Sequence, residues 1–113
     1  MRLAEAAATV EAAELLVLRH ARDMLERARG GPLTRREQVS YRFVGAHAVA
    51  LCRDAAARLF AVSGASAVLE TSPMQRAVRD LQAASAHALL QPDEAADVLG
   101  RVELGLTSTA PLI

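Results

Sequence analysis

His87, Asp80, Arg79 and Arg76 are the side chains of this sequence whose types and spacing offer chemistry. An imidazole titrates near neutrality, so His87 can serve as a general base or as a hydrogen-bond partner to a reacting oxygen. Asp80 lies seven residues before it. On one helix that is about 10.5 Å along the axis, too far for a direct carboxylate–imidazole dyad. Asp80 is better placed to pair with Arg76, one turn away. His87 reads equally as a helix-end histidine facing the negative end of the helix dipole, and Arg76, Arg79 and Asp80 read as structural charges. A second candidate is the turn Ser63-Gly64-Ala65-Ser66, whose backbone N–H groups are of the kind that hold a phosphate at a helix start. The same turn also reads as a plain glycine cap. His20 and His47 have no carboxylate, Cys or His partner at metal-ligand spacing, so no metal site is assigned. Cys52 reads as a small buried group.

The elements that must position these residues are helical throughout. Residues 2–29 place Leu3, Ala7, Val10, Val17, Ala21, Met24 and Ala28 on one stripe, widened by Leu18 and Leu25. Arg22–Glu26 and Asp23–Arg27 have the spacing of ion pairs on the solvent side. Gly30-Gly31-Pro32 ends this helix. Thr34 and Glu37 have capping-box spacing and open a second helix that runs to about Val62 and stops near Gly64. The short hairpin makes these two helices antiparallel neighbours. Ala65–Thr71 has room for one or two helical turns. Ser72 reads as the N-cap of a third helix with Pro73 at its first position and Gln75 closing a capping box, and that helix is expected to reach about Leu90. Pro92 marks a break, Asp93 reads as the cap of a last short helix to about Leu104, and Gly105 ends it. The expected fold is all-α, an antiparallel helical bundle over residues 1–106 with a tail at 107–113.

Composition bounds the function. The 113 residues are 52% hydrophobic but only 3% aromatic, so the core is built from Leu, Val and Ala. A core of small side chains buries little area per residue, and association would help it. Thirteen basic and thirteen acidic residues leave no net charge to steer the chain toward nucleic acid. A lone cysteine excludes an internal disulfide and fits a reducing compartment. No apolar run is long enough to span a bilayer and no leader is read, so a cytoplasmic protein is expected. P-loop, GxGxxG, HExxH and GxSxG motifs are absent.

The stretch Leu59–His87 carries a family resemblance. A helix ends in the glycine turn Ser63-Gly64-Ala65-Ser66, Pro73-Met74-Gln75-Arg76 opens the next helix, and Arg79-Asp80 and His87 follow on it. This resembles the C-terminal helical domain of the acyl-CoA dehydrogenase superfamily, and most closely the oxygenase components of two-component flavin-dependent monooxygenases. Gly100-Arg101, Leu104-Gly105-Leu106 and Pro111-Leu112-Ile113 are similar to the ending of that branch. Family members carry an N-terminal helical domain, a middle β domain and one more long helix ahead of this part, none of which is in this sequence.

The resemblance implies a flavin, FMN or FAD, bound in a complete enzyme, with Ser63, Gly64, Ala65 and Ser66 near its phosphate. It implies His87 as the catalytic residue, a small aromatic or heterocyclic substrate, reduced flavin from a reductase partner, O2 as oxidant, and a homo-oligomer, a tetramer in the family. The three main helices are expected to bring the Gly64 turn and the end of the Pro73 helix to one flavin-facing edge. In the dehydrogenase branch a glutamate near this helix end removes the substrate proton. Its place here falls at about Ala88, which cannot abstract one, and that argues against an acyl-CoA dehydrogenase. The other reading is a non-catalytic helical oligomerisation module or truncated remnant, resting on the missing domains and on the wide apolar face of the first helix.

Overall fold

The computed structural model describes residues 2–64, 69, 71–87 and 90–106, and these form four helices: α1 (Arg2–Arg29), α2 (Arg35–Val62), α3 (Pro73–Ser85) and α4 (Pro92–Glu103). No strand occurs among the described residues. The expected turns between 65 and 71 and the tail at 107–113 fall largely outside them. α1 and α2 are each 28 residues, about 42 Å long. They give the molecule extents of 50 × 26 × 24 Å and a radius of gyration of 16.5 Å, against about 13 Å for a rounded chain of this length.

Each of the other helices packs on α2. From Val39 to Arg53 every residue of α2 except His47 is at least partly buried, the pattern of a helix enclosed by neighbours rather than lying on a surface. The fully buried apolar residues are nearly all alanines: Ala6 and Ala13 on α1, Ala46, Ala48, Ala55 and Ala56 on α2, and Ala95 on α4, joined by Val39 and Val98. Small side chains bring the helix axes close together, so packing here depends on approach distance more than on buried volume.

This changes the reading of α1. The face against α2 runs through Ala6, Thr9, Ala13, Leu16 and His20. The apolar stripe read from the sequence, with Leu3, Val10, Val17 and Met24, lies beside it and is exposed, with Leu3 at 70% and Val17 at 46%. Both faces have helical period, and it is the alanine face, not the one with the larger side chains, that meets α2.

Ion pairs set the register. At the α1–α2 turn Thr34 and Glu37 form the reciprocal capping box, and Glu37 also takes two hydrogen bonds from Arg27, at 2.9 and 2.7 Å. The expected Asp23–Arg27 pair is therefore replaced, because Arg27 reaches across the turn to a carboxylate already held by the cap. Arg36 donates to both oxygens of Glu103, at 2.6 and 3.0 Å, and Arg42 lies 3.4 Å from Glu94. These two contacts run in opposite chain directions, so α4 is antiparallel to α2.

Two helix ends differ from expectation. α3 stops at Ser85, short of Leu90, and Ser72 is its N-cap by backbone conformation but makes no side-chain cap bond, so the capping box with Gln75 does not form. Pro73 alone, with its preset φ, starts the helix. The N-cap of α4 is Gln91, and Asp93 sits inside the first turn with Glu94, where their charges face the positive end of the helix dipole.

Hydrogen bonds from Arg27, and then from the Thr34 backbone, hold the Glu37 carboxyl below the ordinary carboxylate range, and Arg36 does the same for Glu103. A lowered folded-state value stabilises the fold above the unfolded carboxylate range, and that contribution is lost as pH falls through the lowered value. The gap in melting temperature between the native chain and a Glu37→Gln/Glu103→Gln variant should thus narrow between neutral and acid pH, followed by circular dichroism. It should also shrink in high salt, since both pairs are exposed. Thr34→Ala should lower unfolding free energy by about 1 kcal/mol in urea titration. Ala13→Leu, which forces α1 off the alanine face of α2, should cost about 1–3 kcal/mol by the same assay.

Candidate functional site

Local sequence builds the two candidate positions in different ways. α2 closes at Ser63, whose backbone N–H donates to the Phe60 carbonyl and whose hydroxyl donates to the Leu59 carbonyl. Gly64 then turns the chain with φ +79°, and nothing lies within 4 Å of where a Cβ would sit. Glycine is required there by backbone conformation, not by a close neighbour. Ala65 and Ser66, the other half of the expected phosphate turn, lie outside the described residues. At the far side of the connection α3 opens with its first turn unclosed by the Ser72 side chain. The positive end of its dipole suits an anion.

His87 lies two residues beyond α3. Its backbone N–H donates to the Ala84 carbonyl at 3.1 Å, and its own carbonyl accepts from Leu90 N–H at 2.9 Å, so the main chain is held in a tight turn while the residue itself is exposed. Ala88, about where the resemblance implied the dehydrogenase branch's base, is outside the described residues. Arg76 pairs with Asp80 at 3.7 Å on the open side of α3, as its spacing implied. A pair this exposed contributes little to stability.

Ser63 and Gly64 stand at the C-terminal end of α2, where the connection to α3 begins. Leu81, well along α3, is level with Gly45, Ala48 and Cys52 in the middle of α2, so α3 runs back along α2 and carries His87 away from the Gly64 turn. The 13 residues of α3 span about 20 Å. The two candidates are therefore at opposite ends of α3, and a ligand touching both must lie along that helix.

Sequence reasoning missed the concave surfaces, which sit on α1 and α2. An apolar groove of about 420 Å³ runs between Val10, Val17 and Leu18 of α1, the small residues Gly45 and Ala48 of α2, and Leu81 of α3. Cys52 lines it and has no thiol partner in a disulfide. A polar pocket of about 350 Å³ is lined by His20, Asp23, Arg36, Glu37, Tyr41 and Glu103. His20 there donates its Nδ1–H to the Leu16 carbonyl, 3.0 Å away, and meets Tyr41 edge-on, ring centres 6.1 Å apart at 80°. Arg36 and Glu103 bind each other, and Glu37 binds Arg27, so this pocket's charges are spent largely on the fold. His47 stacks on Phe43 at 5.6 Å. Neither pocket is lined by Ser63, Gly64 or His87. His20 and Tyr41 meet only through tertiary packing, and no spacing in the sequence signals them. Among the described residues no three His, Cys, Asp or Glu side chains gather as a metal site, and no helix is long and apolar enough to cross a membrane.

Comparison with known proteins agrees with this architecture. The chain is 33% identical over 107 residues to the oxygenase component of p-hydroxyphenylacetate 3-hydroxylase from Acinetobacter baumannii, covering 94% of this chain and 25% of that protein. The HsaA monooxygenase from M. tuberculosis superposes with a TM-score of 0.83 at 31% identity, over 96% of this chain and 28% of that one. The 3-HSA hydroxylase from Rhodococcus sp. RHA1 superposes with a TM-score of 0.88 at 27% identity, over 99% of this chain and 29% of that one. The chain thus spans little more than a quarter of the length of these relatives. The family model described as acyl-CoA dehydrogenase, C-terminal domain, matches residues 1–92. With three helices gathered on α2, a fold shared with these solved structures, and a family match over most of its length, the chain belongs to the acyl-CoA dehydrogenase C-terminal domain family.

Proposed function

We propose that this chain is the C-terminal helical part of the oxygenase component of a flavin-dependent monooxygenase that hydroxylates a small aromatic or heterocyclic substrate. The observation that carries the reading is the match of nearly the whole chain, in sequence and in fold, to proteins named as hydroxylases and monooxygenases. A flavin, FMN or FAD, would supply oxygen activation when bound. The positive end of the α3 dipole suits its phosphate end, with Ser63, Gly64, Ala65 and Ser66 as the turn that the family resemblance puts beside it. Walls for the ring system must come from beyond these helices, because the apolar groove and the polar pocket both lie elsewhere.

His87 has the role of proton acceptor toward the substrate hydroxyl. His87 is exposed at the end of α3, and the tight turn in its main chain fixes where the side chain starts. A neutral imidazole accepts a proton from a phenol-type oxygen and so raises electron density in the ring to be attacked. Reduced flavin arrives from a separate reductase, the working protein is a homo-oligomer, and a cytoplasmic location fits the single free cysteine. A non-catalytic association module is the second reading, favoured by the exposed apolar stripe of α1.

A chimera tests the first reading. The matching C-terminal quarter of the Acinetobacter baumannii oxygenase component is replaced by this chain, and hydroxylation is assayed with reduced flavin and O2. The chimera should bind flavin and hydroxylate. His87→Ala should then lower kcat by roughly 10²- to 10³-fold with flavin affinity retained, whereas Gly64→Val, strained at positive φ, should weaken flavin binding. Unchanged kcat in His87→Ala removes the catalytic assignment. A chimera that oxidises acyl thioesters and does not hydroxylate hands the chain to the dehydrogenase branch.

A further inference from the structure

Both helices that flank His87 are fastened to the same level of α2. Leu81 of α3 is level with Gly45, Ala48 and Cys52, and α3 ends one turn later at Ser85, about 6 Å nearer to Arg42. Ser85 is buried there, with its hydroxyl donated to the Gln82 carbonyl. On the other side of His87, Glu94 in the first turn of α4 lies 3.4 Å from the Arg42 guanidinium, and the neighbouring Ala95 is buried. The Arg42 side chain is only 7% exposed, rare for a charged group and a sign that its place is closely set. We infer that Arg42, acting through Glu94, is a positioning residue for His87: it fixes where α4 begins and so holds the turn that carries the imidazole. This rests on the catalytic reading of His87 given above.

The same helix pair supplies an internal contrast. Arg36 and Glu103 also join α2 to α4, but with side chains 70% and 43% exposed, so water and salt screen them and leave them room to move. Glu103 is nine residues beyond Glu94, about 13.5 Å along α4, and therefore remote from His87. Arg42 is enclosed, where attraction to a carboxylate is screened less. The main chain carries its effect to the imidazole by short steps. Ala95 N–H donates to the Gln91 carbonyl at 3.0 Å, Leu90 N–H to the His87 carbonyl at 2.9 Å, and His87 N–H to the Ala84 carbonyl at 3.1 Å. A shift in the start of α4 thus reaches His87 through Leu90, whereas a shift at the Glu103 end does not.

The test reads the turn and the chemistry separately. In the 113-residue chain, Arg42→Met and Glu94→Gln should each speed hydrogen exchange of the His87 and Leu90 amides by about tenfold, and Arg36→Met should leave them unchanged. Arg42→Lys keeps the charge without the planar fork and should restore part of the protection. Should Arg42→Met fail to fold, Glu94→Gln, at a side chain 50% exposed, carries the test alone. In the chimera, the Arg42 and Glu94 variants should lower kcat by about ten- to a hundredfold with KM and flavin affinity retained. On a His87→Ala background they should have no further effect on kcat. Faster exchange together with an unchanged kcat in His87→Ala places the failure in the catalytic reading, and the hold of Arg42 on the turn stands. Unchanged exchange in the Arg42 and Glu94 variants overturns the inference. So does an equal loss of protection in Arg36→Met, or a kcat loss that persists in full beside His87→Ala.

Discussion

Close contact between alanine-lined helix faces is the constraint on which this fold depends. α2 must touch three neighbours at once, and it does so with Ala46, Ala48, Ala55 and Ala56 buried along its length. A larger residue at any of these points would separate two axes and loosen the third contact with them. Because alanine has no side-chain entropy to lose, a helix rich in it can be enclosed cheaply. It also supplies little apolar area for each residue buried. The fold is consistent as a scaffold, and it leaves the larger apolar side chains of α1 turned outward.

Directional contacts complete what small residues cannot specify. Alanine faces slide easily, since one methyl group fits nearly as well as the next. The Arg27–Glu37–Thr34 cluster pins the α1–α2 turn, and the Arg36–Glu103 and Arg42–Glu94 pairs align α4 against α2. These are weak in energy at exposed positions, but they select one register among several of similar packing.

What was legible in the sequence was local. The limits of α1, the Thr34–Glu37 capping box and the glycine stops follow from backbone chemistry within a few residues, and they are found where expected. The buried face of α1 was not legible in the same way. Period alone allows two adjacent stripes, and hydrophobic weight favours Leu3, Val10 and Val17, whereas a core of close-packed helices selects Ala6 and Ala13. Ser72 shows a similar limit, because the right residue with the right spacing makes no cap bond. At the candidate site, His87 was expected on the third helix, whereas that helix stops at Ser85 and leaves His87 two residues beyond it, and its separation from the Gly64 turn depends on α3 running back along α2. The polar pocket of His20 and Tyr41 joins residues of two helices and had no local signature at all.

The alanine core has a further thermal consequence. The heat-capacity increment of unfolding follows the apolar surface newly exposed to water, and methyl-lined contacts expose little. The stability of this domain is therefore expected to follow a shallow curve in temperature, with weak susceptibility to cold.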